Sequence, residues 1–195
     1  TDEIRGEVTF EVGDLGDFVI AKSMSEPLFH LAVVADDHDE GVTHIIRGED
    51  HISNTPRQIL IREALGFEQP TYAHIPLILA QDKSKLSKRT GARPILEYRA
   101  LGYLPDAVVN YMALLGWNPG DEREVFTRDE LMSAFSVERI HKSNAVFDEQ
   151  KMRHINREHI LKLPDEQFDH HVRAFIKSSE HFQKNAGSIS DDDLA

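Results

Sequence analysis

The sequence predicts an α/β fold, in which a strand–helix–strand unit of a parallel sheet is followed by a series of short helices. A β-branched segment at residues 42–47 precedes a helical pattern that ends at Gly66, and a second apolar segment follows at 72–79. This order, within about 40 residues, is the spacing of a βαβ crossover. After residue 93 the apolar residues recur at helical spacing between glycines and prolines, which indicates a helical second part.

The segment before this unit, residues 6–22, is predicted to form two strands around a turn at 13–16. Three apolar residues show the alternation typical of a half-buried strand: Val8, Phe10 and Val12. The apolar run that follows Pro27 fits either a strand or a buried helix, and its periodicity does not decide between them.

The two strands of the central unit end in polar, charged segments. Residues 42–47 predict a buried strand, and 72–79 predict the next one, in which Pro76 indicates an edge position or the end of the ladder. Ligands of parallel sheets collect beyond the carboxyl ends of the strands. The polar segments at 47–51 and 81–89 are therefore the first candidates for a functional site.

The helices are predicted from their end signals. The first is expected to begin at Pro56, after Asn54 or Thr55 as N-cap, and to end at Gly66. Later helices are predicted at 94–101, 105–115, 128–135, 149–161 and 165–177. The acidic tail at 187–195 is expected to be disordered.

Composition restricts the classes of function. The net charge of -12 in 195 residues counts against nucleic-acid binding by the chain as a whole, because phosphate contacts need Lys and Arg. The chain has no cysteine, so neither a disulfide framework nor a thiolate zinc site is expected. There is no apolar run of about 20 residues that could span a bilayer. The amino-terminal residues have no signal-peptide pattern, and a cytoplasmic location is expected.

A basic segment stands out in this acidic chain. Residues 83–93 contain five Lys and Arg residues and no acid, and they follow the end of the second predicted strand. A loop of this kind can close over a triphosphate and neutralise charge on a leaving pyrophosphate. The alternative is a solvated surface loop, which charge alone does not exclude.

The order of residues in this segment carries a resemblance. Lys85-Leu86-Ser87-Lys88-Arg89 resembles the KMSKS signature of class I aminoacyl-tRNA synthetases, in the form found in the glutamyl and glutaminyl branch. The stretches at 41–66, 72–79 and 102–117 are similar to segments that surround the signature in glutamyl-tRNA synthetases. The resemblance is nearly continuous from residue 6 to residue 161.

The resemblance implies the second half of a Rossmann-like catalytic domain, followed by an α-helical stem-contact domain. The expected domains are 1–95, with the end of the connective insertion and the signature loop, the stem-contact domain at 96–164, and the start of an anticodon-binding region at 165–195. A HIGH-type motif, which belongs to the first half of such a domain, is not found in the sequence. The chain is therefore expected to be an internal fragment and to be inactive alone.

Site residues follow from matching positions. Lys88 and Lys85 are the expected catalytic residues, which stabilise the triphosphate while the carboxylate of glutamate attacks the α-phosphorus. Residues expected to bind ATP are Lys85, Leu86, Ser87, Lys88, Arg89, Asp50 and Ile78. Arg47 and Phe29 are expected to contact glutamate, since an arginine can pair a carboxylate through two donors. Phe29 and Val33 replace the tyrosine and asparagine of some relatives.

The implied substrates are L-glutamate, ATP with Mg²⁺, and tRNA(Glu), and the parent enzyme is expected to be a monomer. Two close alternatives are glutaminyl-tRNA synthetase and glutamyl-queuosine tRNA synthetase. A non-catalytic paralogue that binds nucleotide or RNA is an alternative of another class. The acidic residues at 36–40 are interpreted as a solvated helix end rather than a metal site, and Trp117 is predicted to lie in the core.

Overall fold

A computed structural model describes residues 1–91 and 93–178 of the chain. Two compact units divide the chain. The first consists of Thr1–Leu77 and Ser136–Ala145, and the second of Ile78–Phe135 together with the chain from Val146 onward. Among the described helices, none is both long and apolar enough to cross a membrane.

The described residues form six short strands and seven α-helices. The strands are β1 Ala21–Ser23, β2 Glu26–Pro27, β3 His44–Gly48, β4 Thr71–Ile75, β5 Ile78–Leu79 and β6 Ala145–Val146. The helices are α1 Phe29–Asp39, α2 Thr55–Leu65, α3 Ile95–Ala100, α4 Pro105–Leu114, α5 Arg128–Ala134, α6 Glu149–Leu161 and α7 Asp165–Ser178. Four 3₁₀ turns lie at Val12–Asp14, Glu49–Asn54, Lys88–Thr90 and Val137–Arg139.

The first unit is built on the predicted βαβ crossover. Strands β3 and β4 are parallel, with Arg47 opposite His74 and Gly48 opposite Ile75. Helix α2 connects them and ends at Gly66, whose φ of 72° is readily accessible to glycine. The parallel pair thus brings the carboxyl ends of both strands to one edge, as the sequence predicts.

Helix α1 packs against α2 in the same unit. Its Asp37 pairs with the buried Arg62 of α2 at 3.2 Å, and its His38 ring stacks on Phe67 at 3.6 Å between centroids. Buried apolar side chains in this unit include Val34 and Ile61. The segment after Pro27, which periodicity left open, is therefore a helix whose acidic end is held by structural contacts.

The second unit has its own core around α4 and α6. Its buried side chains include Tyr111, Trp117, Phe126, Met152 and Ile155, with Trp117 only 2% exposed, as predicted. The carboxamide oxygen of Asn110 accepts the backbone N–H of Phe126 at 2.8 Å. Helix α5 begins with a capping box, in which Thr127 and Glu130 each accept the other's backbone N–H.

Three expectations about the strands are corrected. Residues 6–22 form a 3₁₀ turn and the short β1 instead of two strands, and the alternating apolar side chains are exposed: Val8, Phe10 and Val12. The expected buried strand is half-exposed, since Ile46 of β3 is 54% exposed. The second strand does not run on to residue 79: its ladder ends at Ile75, in agreement with the interpretation of Pro76 as the end of the ladder, and Ile78–Leu79 form the separate strand β5.

The predicted helices are present from α2 to α7, with ends that differ from the expected ones by a residue or two. The compact units part between Leu77 and Ile78. The boundary near residue 95 is a functional division and stays a prediction. The tail at 187–195 lies outside the described residues.

Candidate functional site

Arg47 lies near the carboxyl end of β3, and the structure fixes its guanidinium with two hydrogen bonds. Its Nε donates to Nε2 of His74 at 3.0 Å, and its Nη2 donates to the hydroxyl oxygen of Thr55 at 2.8 Å. The parallel register places His74 directly across from Arg47, and Thr55 begins α2. Two strands and a helix therefore determine the direction of this one side chain.

His74, the partner of Arg47, is itself held by a hydrogen bond at its other ring nitrogen. Nδ1 of His74 lies 2.6 Å from Oδ2 of Asp2, and both residues are buried. A guanidinium can only donate, so Nε2 of His74 must be the acceptor and Nδ1 must carry the proton. His74 is then the neutral tautomer that donates to the Asp2 carboxylate.

Asp2 is stabilised as a carboxylate by several donors. Besides the His74 ring, it accepts the backbone N–H groups of Ile4 at 3.0 Å, Arg5 at 2.8 Å and His74 at 3.1 Å. Burial raises the pKa of Asp2, but the hydrogen bonds from Arg5 and His74 outweigh it, so the pKa lies below the ordinary 3.8. Asp2 is therefore charged at neutral pH.

Thr55 orients its hydroxyl by donating to the backbone oxygen of His51 at 3.1 Å. Its oxygen is thereby left to accept from Arg47. The Arg47 guanidinium also lies 5.6 Å from the centroid of the Tyr72 ring. Burial lowers the pKa of Arg47, while Tyr72, Asp37 and Asp2 raise it, and an arginine so placed remains charged.

Arg47 keeps donors for a ligand. Its Nη1 makes no hydrogen bond to any described residue, and Nη2 has one more N–H than the Thr55 bond uses. These donors belong to the rigid, planar fork that matches a carboxylate. One edge of the guanidinium, Nε and Nη2, is thus fixed by the protein, while Nη1 makes no bond to the described residues.

The other expected residues of the first unit lie around the turn that follows β3. The Phe29 ring of α1 is 54% exposed and lies 6.1 Å from the His51 ring, whose backbone accepts from Thr55. Asp50 is exposed in the turn, and a Cβ on Gly48 would come within 2.5 Å of its Oδ1. Glycine at position 48 therefore lets the Asp50 carboxylate fold back on the strand end.

Glu49, in the same turn, has a structural role. It forms an ion pair with Arg5 and accepts the backbone N–H of Leu77 at 3.1 Å. Arg5 also donates to the backbone oxygen of Lys142 at 2.7 Å. The turn after β3 is thus tied to the amino-terminal residues and to the segment at 136–145.

The signature segment lies in the second unit and starts from a tight turn. Ala80 and Ser84 are joined by a backbone hydrogen bond of 2.8 Å, and Lys83 has a φ of 65°. The Asp82 carboxylate accepts both the N–H and the hydroxyl of Ser84, at 3.0 and 2.6 Å. These bonds lower the pKa of Asp82 and hold the turn through local contacts, to which Gln81 adds a hydrogen bond from its Nε2 to the backbone oxygen of Phe147 at 2.8 Å.

Leu86 anchors the basic loop. Its N–H donates to the backbone oxygen of Ile78 at 3.0 Å, and its side chain is half-buried. The charged residues on either side, Lys85, Lys88 and Arg89, are exposed, as is Ser87.

Two cavities adjoin the loop. One, of about 390 Å³, is lined by Leu86 together with Ala80, Gln81, Gly91, Phe147, Asp148, Glu149 and Gln150. The other, of about 430 Å³, is lined by Lys88 together with Gly91, Arg93, Pro94, Glu97 and Glu149. Both cavities are thus lined by residues of the loop and by Glu149 at the start of α6.

Comparison with known proteins identifies the family. The family described as tRNA synthetases class I (E and Q), catalytic domain, matches residues 1–154. The chain belongs to this family. Its fold is the α/β fold of the class I synthetase catalytic domain, which confirms the resemblance stated for the KLSKR segment.

Relatives of this synthetase chain are named glutamate–tRNA ligases. That of Desulforamulus reducens is 54% identical over 82% of this chain and 33% of its own length. That of Thermodesulfovibrio yellowstonii is 45% identical over 100% of this chain and 41% of its own length. A solved glutamate tRNA ligase from Elizabethkingia meningosepticum, in complex with its amino acid, superposes with a TM-score of 0.82 at 31% identity and covers 99% of this chain. The chain thus spans about a third to two fifths of these relatives.

Sequence reasoning about the synthetase site missed three residues. Thr55 and His74 hold Arg47, and Asp2 holds His74; of the three, the sequence singles out only Thr55, as a possible N-cap. The N-cap of α2 is Asn54, and the Thr55 hydroxyl turns to His51 and Arg47 instead. A signal existed in the parallel register, which pairs Arg47 with His74, but that register is not readable from either strand alone.

Proposed function

We propose that this chain is part of a glutamate–tRNA ligase, which activates glutamate with ATP and transfers it to tRNA(Glu). The observation that carries the proposal is the guanidinium of Arg47, fixed on one side and open on the other, in a synthetase chain with a KLSKR loop. The names of the relatives support glutamate over glutamine within the E and Q family. The activity proposed is that of the whole enzyme.

In this proposal Arg47 pairs the side-chain carboxylate of glutamate through its free donors. The Phe29 ring offers an apolar surface near the same turn without a hydroxyl donor. A neutral amide cannot pair with a guanidinium as strongly as a carboxylate does, because the charge-assisted bond is the stronger one. Arg47 therefore favours an acidic amino acid over its amide.

The loop residues are proposed to handle ATP. A carboxylate oxygen of glutamate attacks the α-phosphorus, the bond to the β-phosphate breaks, and pyrophosphate leaves. Lys88 and Lys85 stabilise the charge that develops on the pyrophosphate, once the loop has closed over ATP and placed them there. Leu86, Ser87 and Arg89 shape the loop, while Asp50 and Ile78 contact ATP. The adenylate then gives its glutamyl group to the terminal ribose of the tRNA, and AMP leaves.

Mg²⁺ is proposed to arrive with ATP. No group of three or more His, Cys, Asp or Glu side chains within the described ranges could hold a metal ion. A magnesium ion bound mainly by phosphate oxygens and water needs few protein ligands, which suits this chain.

The remaining assignments follow the domains expected from the sequence. We propose that residues 1–95 complete the catalytic domain, that 96–164 contact the tRNA stem, and that 165–195 begin the anticodon-binding region. Helices α4 and α6, which pack together, support a helical body in the middle segment. The parent is proposed to be a monomer in the cytoplasm.

Calorimetric titration with ATP and Mg²⁺ tests the proposed role of the loop. The chain is expected to bind, and Lys88→Ala is expected to weaken binding about tenfold, which corresponds to one ion contact. Lys22→Ala, at an exposed lysine of β1 in the first unit, is the matched control and should leave the affinity unchanged.

A second titration tests the substrate. Non-hydrolysable glutamyl- and glutaminyl-adenylate analogues are compared, and the glutamyl compound is expected to bind at least about tenfold more tightly. Tighter binding of the glutaminyl compound would contradict the proposal and favour the sister enzyme. In the titration with ATP and Mg²⁺, equal losses of affinity in Lys22→Ala and Lys88→Ala would contradict a specific role of the loop in binding ATP.

A further inference from the structure

Arg47 stands at the end of a chain of three buried or half-buried groups. Asp2 and His74 are 72 positions apart in sequence, yet their side chains meet at 2.6 Å, and His74 meets Arg47 at 3.0 Å. Asp2 is 5% exposed and His74 is 3% exposed. Solvent therefore does not compete for either ring nitrogen, and the protein alone determines the direction of both bonds.

The direction of these bonds matters for Arg47. If Nε2 of His74 carried the proton, two N–H groups would face each other at Arg47, and the bond would be lost. A carboxylate next to Nδ1 holds the proton there, as it does for histidines that orient through one nitrogen and act through the other. Asp2 thus controls whether His74 can accept from Arg47.

A guanidinium held only by Thr55 would be free to rotate about that single contact. With His74 accepting at Nε and Thr55 accepting at Nη2, the plane of the fork is determined by two points. The free Nη1 then has a fixed position relative to β3. A ligand carboxylate needs this plane to be set before it arrives, since ordering it later costs affinity.

We propose that His74 is a positioning residue for Arg47, and that Asp2 sets the His74 tautomer that this positioning requires. The inference rests on the proposed function, in which Arg47 binds a carboxylate of glutamate. Neither His74 nor Asp2 touches the substrate in this account. Their effect is on the direction of the Arg47 fork.

A ligand-free measurement tests the first step. In ¹⁵N-labelled chain, long-range ¹H–¹⁵N spectra distinguish the two histidine tautomers, and the Nε–H signal of Arg47 reports its hydrogen bond. Wild-type His74 is expected to carry its proton on Nδ1, and the Arg47 signal is expected to exchange slowly with water. Asp2→Asn is expected to shift the tautomer and to accelerate exchange of the Arg47 signal. An Nε2-protonated His74 in the wild type would overturn the inference.

Two replacements of His74 separate positioning from packing. His74→Gln places an amide oxygen near the position of Nε2 and can still accept from Arg47, whereas His74→Phe keeps a flat ring beside Tyr72 without an acceptor. Binding of the glutamyl-adenylate analogue is expected to fall about tenfold for the Phe variant and to be largely restored in the Gln variant. His141→Phe, at an exposed histidine of the same unit, is the matched control.

The outcomes distinguish this inference from the proposed function. If Arg47→Ala leaves binding of the analogue unchanged, the role of Arg47 fails, and the inference fails with it. If Arg47→Ala abolishes binding while both His74 variants bind like the wild type, the proposed function stands and the positioning role is overturned. Equal loss in the Gln and Phe variants would assign His74 to packing alone, and would also overturn the inference.

Discussion

The candidate residues fall into two parts, one in each compact unit, and the two parts are built in opposite ways. Arg47 lies among buried partners from β4 and α2, and two of its donors are already used by His74 and Thr55. The lysines of the KLSKR loop are exposed, and the turn that leads to them is held by the local bonds of Asp82 and Ser84. One part is fixed by buried side chains of other elements, and the turn before the other is held mainly by exposed neighbours in sequence.

The difference matches two kinds of charge. The carboxylate of an amino acid carries a full charge before the reaction begins, so a preset fork recognises it best. Charge on a leaving pyrophosphate grows during the reaction, and an exposed loop can bring its cations to that position when it closes over ATP, before the charge develops. A fixed arginine and an exposed lysine loop are suited to these two tasks.

The largest expected effect is the loss of stability when the buried His74 is truncated, compared with truncation of the exposed Lys88. His74→Ala should lower the free energy of unfolding by about 3 kcal/mol, because it leaves the Asp2 charge without its ring partner and opens space in the first unit. Lys88→Ala should leave the midpoint of urea unfolding unchanged, because its side chain is exposed. Urea titrations of both variants provide the measurement. Equal destabilisation by the two changes would erase the contrast between the two parts.

The second expected effect concerns Asp2 and depends on pH. Asp2→Asn should cost about 2 kcal/mol at neutral pH, the usual loss for hydrogen bonds to a charged group. The folded-state pKa of Asp2 is lowered below 3.8, so the unfolded chain binds this proton more tightly. The advantage of the wild type is therefore full above the unfolded value and is lost as pH falls through the lower folded one.

Urea unfolding at a series of acidic pH values measures this difference. The gap between wild type and the Asp2→Asn variant should shrink as the pH decreases below about 4. A gap that grows toward acid would mean that the folded state raises the pKa of Asp2, against the hydrogen bonds seen in the structure.

A charge-conserving exchange sharpens the comparison through ligand affinity. Arg47→Lys should weaken binding of the glutamyl-adenylate analogue about tenfold, because lysine lacks the planar fork that His74 and Thr55 hold. Lys88→Arg should change the affinity for ATP and Mg²⁺ by less than about threefold, since an exposed loop can present either cation. Calorimetric titration of each variant beside the wild type checks both expectations. An Arg47→Lys variant with wild-type affinity for the analogue would show that charge alone suffices for binding.

The smallest expected effect is local to the loop. Asp82→Ala removes the acceptor for Ser84 and should increase the initial rate of tryptic cleavage between residues 83 and 89 about threefold. The midpoint of urea unfolding should not change, because the turn is exposed. Glu122→Ala, at an exposed acidic residue of the second unit, controls for the loss of a negative charge. Faster cleavage in both variants would mean that the loss of a negative charge, and not the loss of the Asp82–Ser84 hydrogen bonds, increases the cleavage rate.

The sequence predicted the features that depend on local signals better than those that depend on contacts between distant segments. The βαβ crossover follows from apolar periodicity, Pro56 and Gly66, and the loop follows from the residues of the KLSKR segment, because those signals are local. The strands predicted at residues 6–22 were wrong, since alternation of Val8, Phe10 and Val12 does not reveal whether a neighbouring strand exists.

The surroundings of Arg47 show a different limit. A resemblance indicated Arg47, but its partners are Thr55 and His74, and His74 is held by Asp2; only the tertiary fold brings these residues together. Asp2 reads in sequence as one of several polar residues near the amino terminus. Its importance depends on the backbone N–H groups around it, which no side-chain pattern encodes.

The most direct test of the contrast between a fixed arginine and an adaptable loop is hydrogen exchange with and without ATP and Mg²⁺. The account predicts slow exchange for the amides of β4 in both states, and exchange in residues 82–91 that slows about tenfold when the nucleotide is added. Protection of residues 82–91 that is already complete without nucleotide, or that remains unchanged on its addition, would contradict the account.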